Sequence, residues 1–257
     1  MKPSGKHQPL FRSSEHRVSS SRAFSVGADT YDAVRPSYPA EVVEMLGGHG
    51  IARRVLDVGS GTGIFAAQLD AAGHGVACCE PSKDMVDTLR NQHPNLPVWR
   101  ATAEHTAAAS GFFDAITFAQ AWHWVDSLQA SAEAARITHP DGELLLCWNT
   151  LEVEHPWVLR LAKIMHSGDV LTKGFYPTVH TPWHLKRELR TSWIQPIHTD
   201  QLFALMSTRS YWLRANERTR AKMVDNLTWY LFDRLGFDPG QLVPLPYRTD
   251  AFLYGRS

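Results

Sequence analysis

At 257 residues, 44% of them hydrophobic, the chain has the length for one large domain, or one domain with an elaborated cap, and the apolar content to bury a core. Its 26 basic and 26 acidic side chains cancel, which excludes a domain-wide positive field of the kind that holds nucleic acid. Three cysteines, Cys78, Cys79 and Cys147, two adjacent and all in apolar runs, do not make a disulfide framework and read as reduced core thiols.

Residues 1–28 are rich in Ser, Arg and His and lack apolar periodicity, so a mobile tail is expected, with a basic arm for an acidic partner as the alternative. No apolar signal core opens the sequence, and no apolar stretch approaches the roughly 18 residues of a membrane span. A cytoplasmic protein without a membrane partner is therefore expected. Tyr31 to Pro39 mixes aromatics with prolines, and Pro39 suits the first turn of a helix over Ala40–Leu46 that Gly47 and Gly48 stop. Arg54–Val58 reads as a buried strand, Ile64–Ala72 as a helix ended by Gly73, and Gly75–Cys79 as a second strand. Ser82 is the N-cap of a helix with Met85, Val86 and Leu89 on its inner face. Val98–Ala101 and Asp114–Ala119 are further strands, Ser127–Ile137 a helix, and Glu143–Trp148 a fifth strand after the turn Pro140-Asp141-Gly142. Strands alternating with helices imply parallel pairing through right-handed crossovers. Residues 151–198 hold several Trp, His and Pro and no clear strand, and read as a helical and aromatic cap insertion. Gln201–Leu205 reads as a strand, Ala215–Leu235 as a long helix, and Leu242–Tyr254 as a terminal strand. The sum is an α/β fold: a doubly wound, mostly parallel, seven-stranded sheet with a cap.

The stretch Val55-Leu56-Asp57-Val58-Gly59-Ser60-Gly61-Thr62-Gly63 carries the chemistry. A strand that feeds a glycine-rich turn and then a helix gathers backbone N–H groups and a helix N-terminus at one point. A phosphate-binding P-loop would need Gly-Lys-Ser/Thr, but Ile64-Phe65 follows Gly63. A dinucleotide loop, G-x-G-x-x-G, would need its third glycine where Ile64 stands. Asp57, two residues before the first glycine, repels a pyrophosphate and welcomes an amine. Seventeen residues after Gly63, Glu80 ends the second strand, where a doubly wound sheet meets a ribose and a carboxylate accepts from its hydroxyls. The loop thus faces a ligand with a ribose and an ammonium but no phosphate, a description that S-adenosylmethionine fits.

On these residues the sequence resembles the class I S-adenosylmethionine-dependent methyltransferases, in the group known as methyltransferase type 11, whose fold is Rossmann-like. Val55–Gly63 looks like the family's first motif and Glu80-Pro81-Ser82 like its ribose-binding acid. Phe113-Asp114-Ala115-Ile116 is similar to the fourth-strand motif, and Pro140-Asp141-Gly142 to the turn before the fifth strand. Tyr31…Arg35-Pro36…Tyr38-Pro39, Ala119 to Asp126 and Trp148-Asn149 resemble a bacterial subgroup near the trans-aconitate methyltransferases, over nearly everything after residue 28. Many relatives have Asp-Ala-Glu after strand three; here Thr102-Ala103-Glu104 stands instead, so a hydroxyl replaces the adenine-facing carboxylate. Asp141 stands where Gly is usual.

The resemblance implies a methyltransferase domain over 29–257 with an S-adenosylmethionine-binding core at 50–150. The expected cofactor contacts are Asp57, Gly59, Ser60, Gly61 and Gly63 in the loop, Glu80 and Pro81 at the ribose, Met85 against the adenine, Thr102, Ala103 and Glu104 around it, and Gln120 after strand four. Methyl transfer is an in-line displacement from a sulfonium, so alignment and exclusion of water are the main catalytic effects. His123 is the candidate base or acceptor-orienting group, with a pocket-wall histidine as the alternative. Trp122, Trp124 and Trp148 either line an acceptor pocket or pack the end of the sheet. Tyr31, Arg35 and Tyr38 lie in a segment expected to close over the cofactor, where Arg35 pairs with a carboxylate or forms a surface salt bridge. Trp183, His184, Lys186, Arg187 and Arg190 are either a site for an acidic acceptor or the solvated face of a helix. The 13 histidines show no metal-ligand spacing, so no metal is expected. The function expected is methylation of a small molecule at an oxygen. C- or N-methylation, RNA methylation and donor binding without catalysis remain open.

Overall fold

The computed structural model describes residues 34–47, 51–167 and 171–256, so the expected tail, Tyr31 and Gly48 lie outside the described residues. Helix α1 (Ala40–Glu44) begins after Pro39 as its composition predicts. There follow β1 (Arg54–Val58), α2 (Ile64–Ala71), β2 (Gly75–Cys79), α3 (Lys83–Gln92), β3 (Val98–Trp99), β4 (Phe113–Ala119) and a 3₁₀ turn (Trp122–Trp124). Next come α4 (Ser127–Ile137), β5 (Thr138–Leu151), α5 (Pro156–Ile164), β6 (Trp183–His198), α6 (Thr199–Ser207), α7 (Ser210–Arg214), α8 (Glu217–Thr228), a π-helical turn (Trp229–Arg234) and β7 (Leu242–Arg256). Side-chain caps start α3 and α4 where their sequences place them: Ser82 Oγ accepts from Met85 N–H, and Asp126 Oδ1 accepts from Leu128 and Gln129 N–H.

The strands form one seven-stranded sheet in the order β3-β2-β1-β4-β5-β7-β6. The pairs β1–β2, β1–β4, β2–β3 and β4–β5 are parallel. Contacts of β7 run the other way: Asn149 meets Thr249, while Glu152 N–H donates to Pro246 O. The order reverses between β1 and β4, so the chain leaves a crevice beyond the carboxyl ends of these two strands. Between Phe113↔Thr138 and Ala115↔Glu143 the pairing slips, and the expected Pro140-Asp141-Gly142 turn is the bulge that absorbs the extra residues. A Cβ at Gly142 would stand 2.7 Å from Thr138 Cβ and 2.9 Å from His139 O, which is why the bulge needs glycine.

Two sequence expectations are corrected. Gln201–Leu205 is not a strand but the middle of α6, which buries Leu202, Leu205 and Met206 at helical spacing; a run that short has no period of its own to separate the two states. The stretch 151–198 is not wholly a cap, because Trp183–His198 is β6, the sheet's last strand. Its Lys- and Arg-rich composition is that of an edge strand, which charged side chains protect from further pairing.

The chain divides into two compact units. One comprises 37–149, 177–191 and 249–257. Its core joins Val42 of α1 and Leu46 just after it to Phe65 and Leu69 of α2 and to Val55, Cys78, Ala115, Leu145 and Cys147 of the strands. Burial pushes all three thiols well above the ordinary cysteine range, which makes them packing groups. The other comprises 1–36, 150–176 and 192–248, and its described core gathers Val158 and Leu161 of α5, Leu202 and Leu205 of α6, Leu227 of α8 and Leu245 of β7. No helix among the described residues is long and apolar enough to cross a membrane.

Candidate active site

The glycine loop lies at the carboxyl end of β1, with Glu80 at the end of β2 and Gln120 at the end of β4 beside it. All three glycines have positive φ: 68° at Gly59, 56° at Gly61 and 97° at Gly63, the N-cap of α2. Gly59 is also a point of close approach, since a Cβ there would stand 2.6 Å from Ala121 Cβ. A Cβ at Gly61 meets nothing within 4 Å among the described residues. Four of the loop's N–H groups are engaged within the chain. Gly59 and Ser60 N–H donate to Cys79 O at 2.8 and 3.3 Å, Gly61 N–H to Glu80 Oε2 at 3.0 Å, and Gly63 N–H to Ser60 O at 2.9 Å. These four donors are turned to the chain itself and away from a phosphate.

The two carboxylates have different surroundings. Glu80 is buried and accepts twice from the backbone, from Gly61 N–H and, at 2.8 Å, from Ser82 N–H. Burial raises its pKa and these two bonds pull it back. Each oxygen keeps lone-pair capacity for a hydroxyl. Asp57, 1% exposed, accepts at Oδ1 from Thr117 Oγ1 at 2.6 Å, while its buried Oδ2 has no hydrogen-bond partner among the described residues. Burial pushes the Asp57 carboxyl up to about 7; the Thr117 bond works against the rise and the Glu80 charge adds to it. The consequence for stability follows by linkage. With the folded pKa above the unfolded value, the group's stabilisation is complete below about pH 4 and is lost as the pH rises through about 7. The melting temperature of the unliganded protein should therefore fall between these values more in the wild type than in Asp57→Asn. The differential is on the order of 4 kcal/mol at most. Parallel curves from thermal melts of the two proteins would contradict it.

The remaining predicted cofactor residues divide. Pro81 is exposed at the start of the turn into α3, and its carbonyl accepts from Arg100. Met85 is 5% exposed on the inner face of α3. Thr102 is exposed, Ala103 is buried, and Glu104 Oε1 accepts from Asp126 N–H at 2.9 Å, which ties Glu104 to the start of α4. Gln120 sits at a left-handed backbone position, φ 56°, held by its N–H to Cys147 O. Its Nε2 donates to Asn149 O at 2.5 Å, and its buried Oε1 has no partner among the described residues. Asn149 in turn donates to Ser37 O and accepts from Thr249 Oγ1. The sequence reading missed Thr117 and underused Asn149. A lone threonine inside the apolar run of β4 was the available signal for the first.

Among the aromatic candidates, Trp122 is buried edge-on against Phe118 and donates to Thr178 O, so it packs the sheet end. Tyr38 is likewise a core residue, edge-on to Phe65 and bonded through its backbone to the Gln68 amide. Trp124, half-buried, lies against the His123 ring at 4.8 Å. Trp148 is buried, and its indole N–H donates to His123 Nδ1 at 3.1 Å. With Nδ1 accepting, the neutral ring carries its proton on Nε2. In that tautomer His123 presents a donor at Nε2. In the other unit Arg35 donates to the Thr208 hydroxyl and carbonyl. The predicted cationic cluster is not a helix face. It lies on β6, where Lys186 pairs with Glu143, Arg187 donates to Met45 O, Arg190 pairs with buried Asp250, and the Trp183 indole donates to Ser131 O.

A sheet of this order, whose glycine loop turns its amides inward and leaves buried acceptors without partners, defines the Rossmann-like class I methyltransferase fold. Solved structures agree. A putative type II methyltransferase from Anaeromyxobacter dehalogenans superposes with a TM-score of 0.62 at 21% identity, covering 86% of this chain and 97% of the other. The cyclopropane synthase MmaA2 from Mycobacterium tuberculosis superposes with a TM-score of 0.54 at 18% identity, covering 94% and 98%. The methyltransferase domain family matches residues 56–146. An uncharacterized methyltransferase of Mycobacterium tuberculosis is 33% identical over 230 residues, 89% of this chain and 93% of the relative. The chain belongs to the methyltransferase family, and S-adenosylmethionine is its methyl donor.

Proposed function

We propose that the protein methylates a carboxylate oxygen of a small-molecule acceptor. The donor side of this reading assigns Asp57 to the ammonium, Glu80 to the ribose hydroxyls and the open face of Gly61 to the donor's approach. Met85, Thr102 and Ala103 are assigned to the adenine. Three features support it: Asp57 Oδ2 and Gln120 Oε1, acceptors without a partner among the described residues and suited to a donor-rich cation; the space that the described residues leave at Gly61; and the four loop amides turned to the chain itself. When bound, S-adenosylmethionine supplies a methyl group on a sulfonium, an already activated leaving group. The chain's own work is then to align, to exclude water and to hold the acceptor.

One observation carries the acceptor assignment: His123 Nδ1 is taken by the Trp148 indole. A hydroxyl or ammonium acceptor needs its proton removed, and a histidine with Nδ1 engaged and Nε2 protonated does not remove it. An ionised carboxylate needs no base, and a donating Nε2–H suits it. The resemblance to trans-aconitate methyltransferases points the same way. The test is transfer of labelled methyl from S-adenosylmethionine into a metabolite extract, followed by mild alkali. Methyl esters release the label as volatile methanol. Alkali-stable label in small molecules, label in RNA, or no transfer rejects the carboxylate reading.

A further inference from the structure

We infer that Thr117 is a positioning residue for donor binding: its hydroxyl pins one oxygen of Asp57 and so keeps the carboxylate charged and oriented for a cationic ligand. The inference rests on the assignment of Asp57 to the donor's ammonium. Asp57 and Thr117 are register partners on the parallel strands β1 and β4, so their side chains leave the same face of the sheet. Both are buried, at 1% and 0% exposure, and 2.6 Å separates the hydroxyl from Oδ1. That bond is the one hydrogen bond to the Asp57 carboxylate among the described residues, and Oδ2 has none.

Of the charged and titratable groups around Asp57, Glu80 makes its ionisation harder. Glu80 faces it from the end of β2, Cys78 and Cys79 from β2 itself, and Cys147 from β5, while Asp70 of α2 lies near Cys78. None of these is a cation. A buried carboxylate with a like charge beside it and one hydrogen bond is poorly compensated. Burial already pushes its pKa to about 7, and the Thr117 bond is what opposes that rise. Without the hydroxyl the pKa rises further, and less of Asp57 carries charge for a cation at neutral pH. The Gln120 and Asn149 amides donate elsewhere, to Asn149 O and Ser37 O.

The experiment titrates S-adenosylhomocysteine into the full chain by calorimetry between about pH 6 and 9, with Asp57→Asn as the baseline for the ligand's own amine. In the wild type, affinity relative to Asp57→Asn rises with pH through neutrality. In Thr117→Val, which keeps the shape and loses the donor, that rise moves to higher pH. At pH 7 affinity then falls by about tenfold for each unit of displacement and converges with the wild type at high pH. Thr117→Ser, which keeps the hydroxyl, restores the wild-type profile. Carbon NMR of labelled aspartate in the unliganded protein should show the same displacement of the Asp57 midpoint. Equal weakening at every pH, or none, overturns the inference. So does a wild-type profile parallel to that of Asp57→Asn, a comparison that needs no Thr117 variant to fold. If Asp57→Asn binds as tightly as the wild type, the donor assignment of Asp57 falls as well. If it binds weakly while Thr117→Val shows no pH displacement, only the role of Thr117 falls.

Discussion

Glu80→Ala lowers the affinity for S-adenosylhomocysteine by roughly 10- to 150-fold, the equivalent of about 1.5–3 kcal/mol for hydrogen bonds to a charged acceptor. Two effects contribute, and they can be separated. The carboxylate accepts from Gly61 and Ser82 N–H, so its removal also loosens the loop and leaves two amides without their acceptor. That part shows as a lower melting temperature of the unliganded variant. The ribose part shows in a double-mutant cycle with a ligand analogue that lacks the 2′ and 3′ hydroxyls. The analogue should bind the wild type more weakly than S-adenosylhomocysteine does, and should bind Glu80→Ala no more weakly than the full ligand. An additional loss of the same size in the variant would remove Glu80 from the ribose.

The second large effect contrasts two glycines of one loop. Gly59→Ala combines a left-handed backbone, φ 68°, with a Cβ 2.6 Å from that of Ala121. The conformational cost is about 1–2 kcal/mol and the overlap adds about 1–3 more, because β1 and the turn after β4 are held by the sheet and cannot part cheaply. The variant should melt well below the wild type. Gly61→Ala carries only the conformational part, since among the described residues nothing lies within 4 Å of its new Cβ. It should remain folded with a small loss of melting temperature, yet bind S-adenosylhomocysteine far more weakly, because the methyl occupies the space assigned to the donor. Thermal melts paired with calorimetry on both variants decide the matter. If Gly61→Ala binds like the wild type, the donor does not approach that face of the loop.

The legible part of the fold is local. Strand β1 and helix α4 have the predicted bounds, and Ser82 caps α3 as expected, because apolar runs, capping side chains and glycine stops act within a few residues of one another. The same holds for Gly59, Gly61 and Gly63, whose positive φ values follow from a turn that only glycine makes cheaply. Where local signals were ambiguous, the reading failed. Gln201–Leu205 is too short to show a period, and β6 carries the charges of an edge strand, which look like a solvated helix when its neighbours are unknown.

By itself, the sequence determined the alternation of strands and helices, the glycine turn and the two acids that flank it, since each is a matter of residues adjacent in the chain. The tertiary structure alone decided what those groups can do. It brought Thr117 onto Asp57 across 60 residues, bound His123 to the Trp148 indole across 25, and tied Lys186 and Arg190 into ion pairs with Glu143 and Asp250. The protonation of a carboxylate and the tautomer of an imidazole depend on which partner is within hydrogen-bonding distance and how much water is excluded. Both are set by strand register and packing, through contacts between segments far apart in the chain.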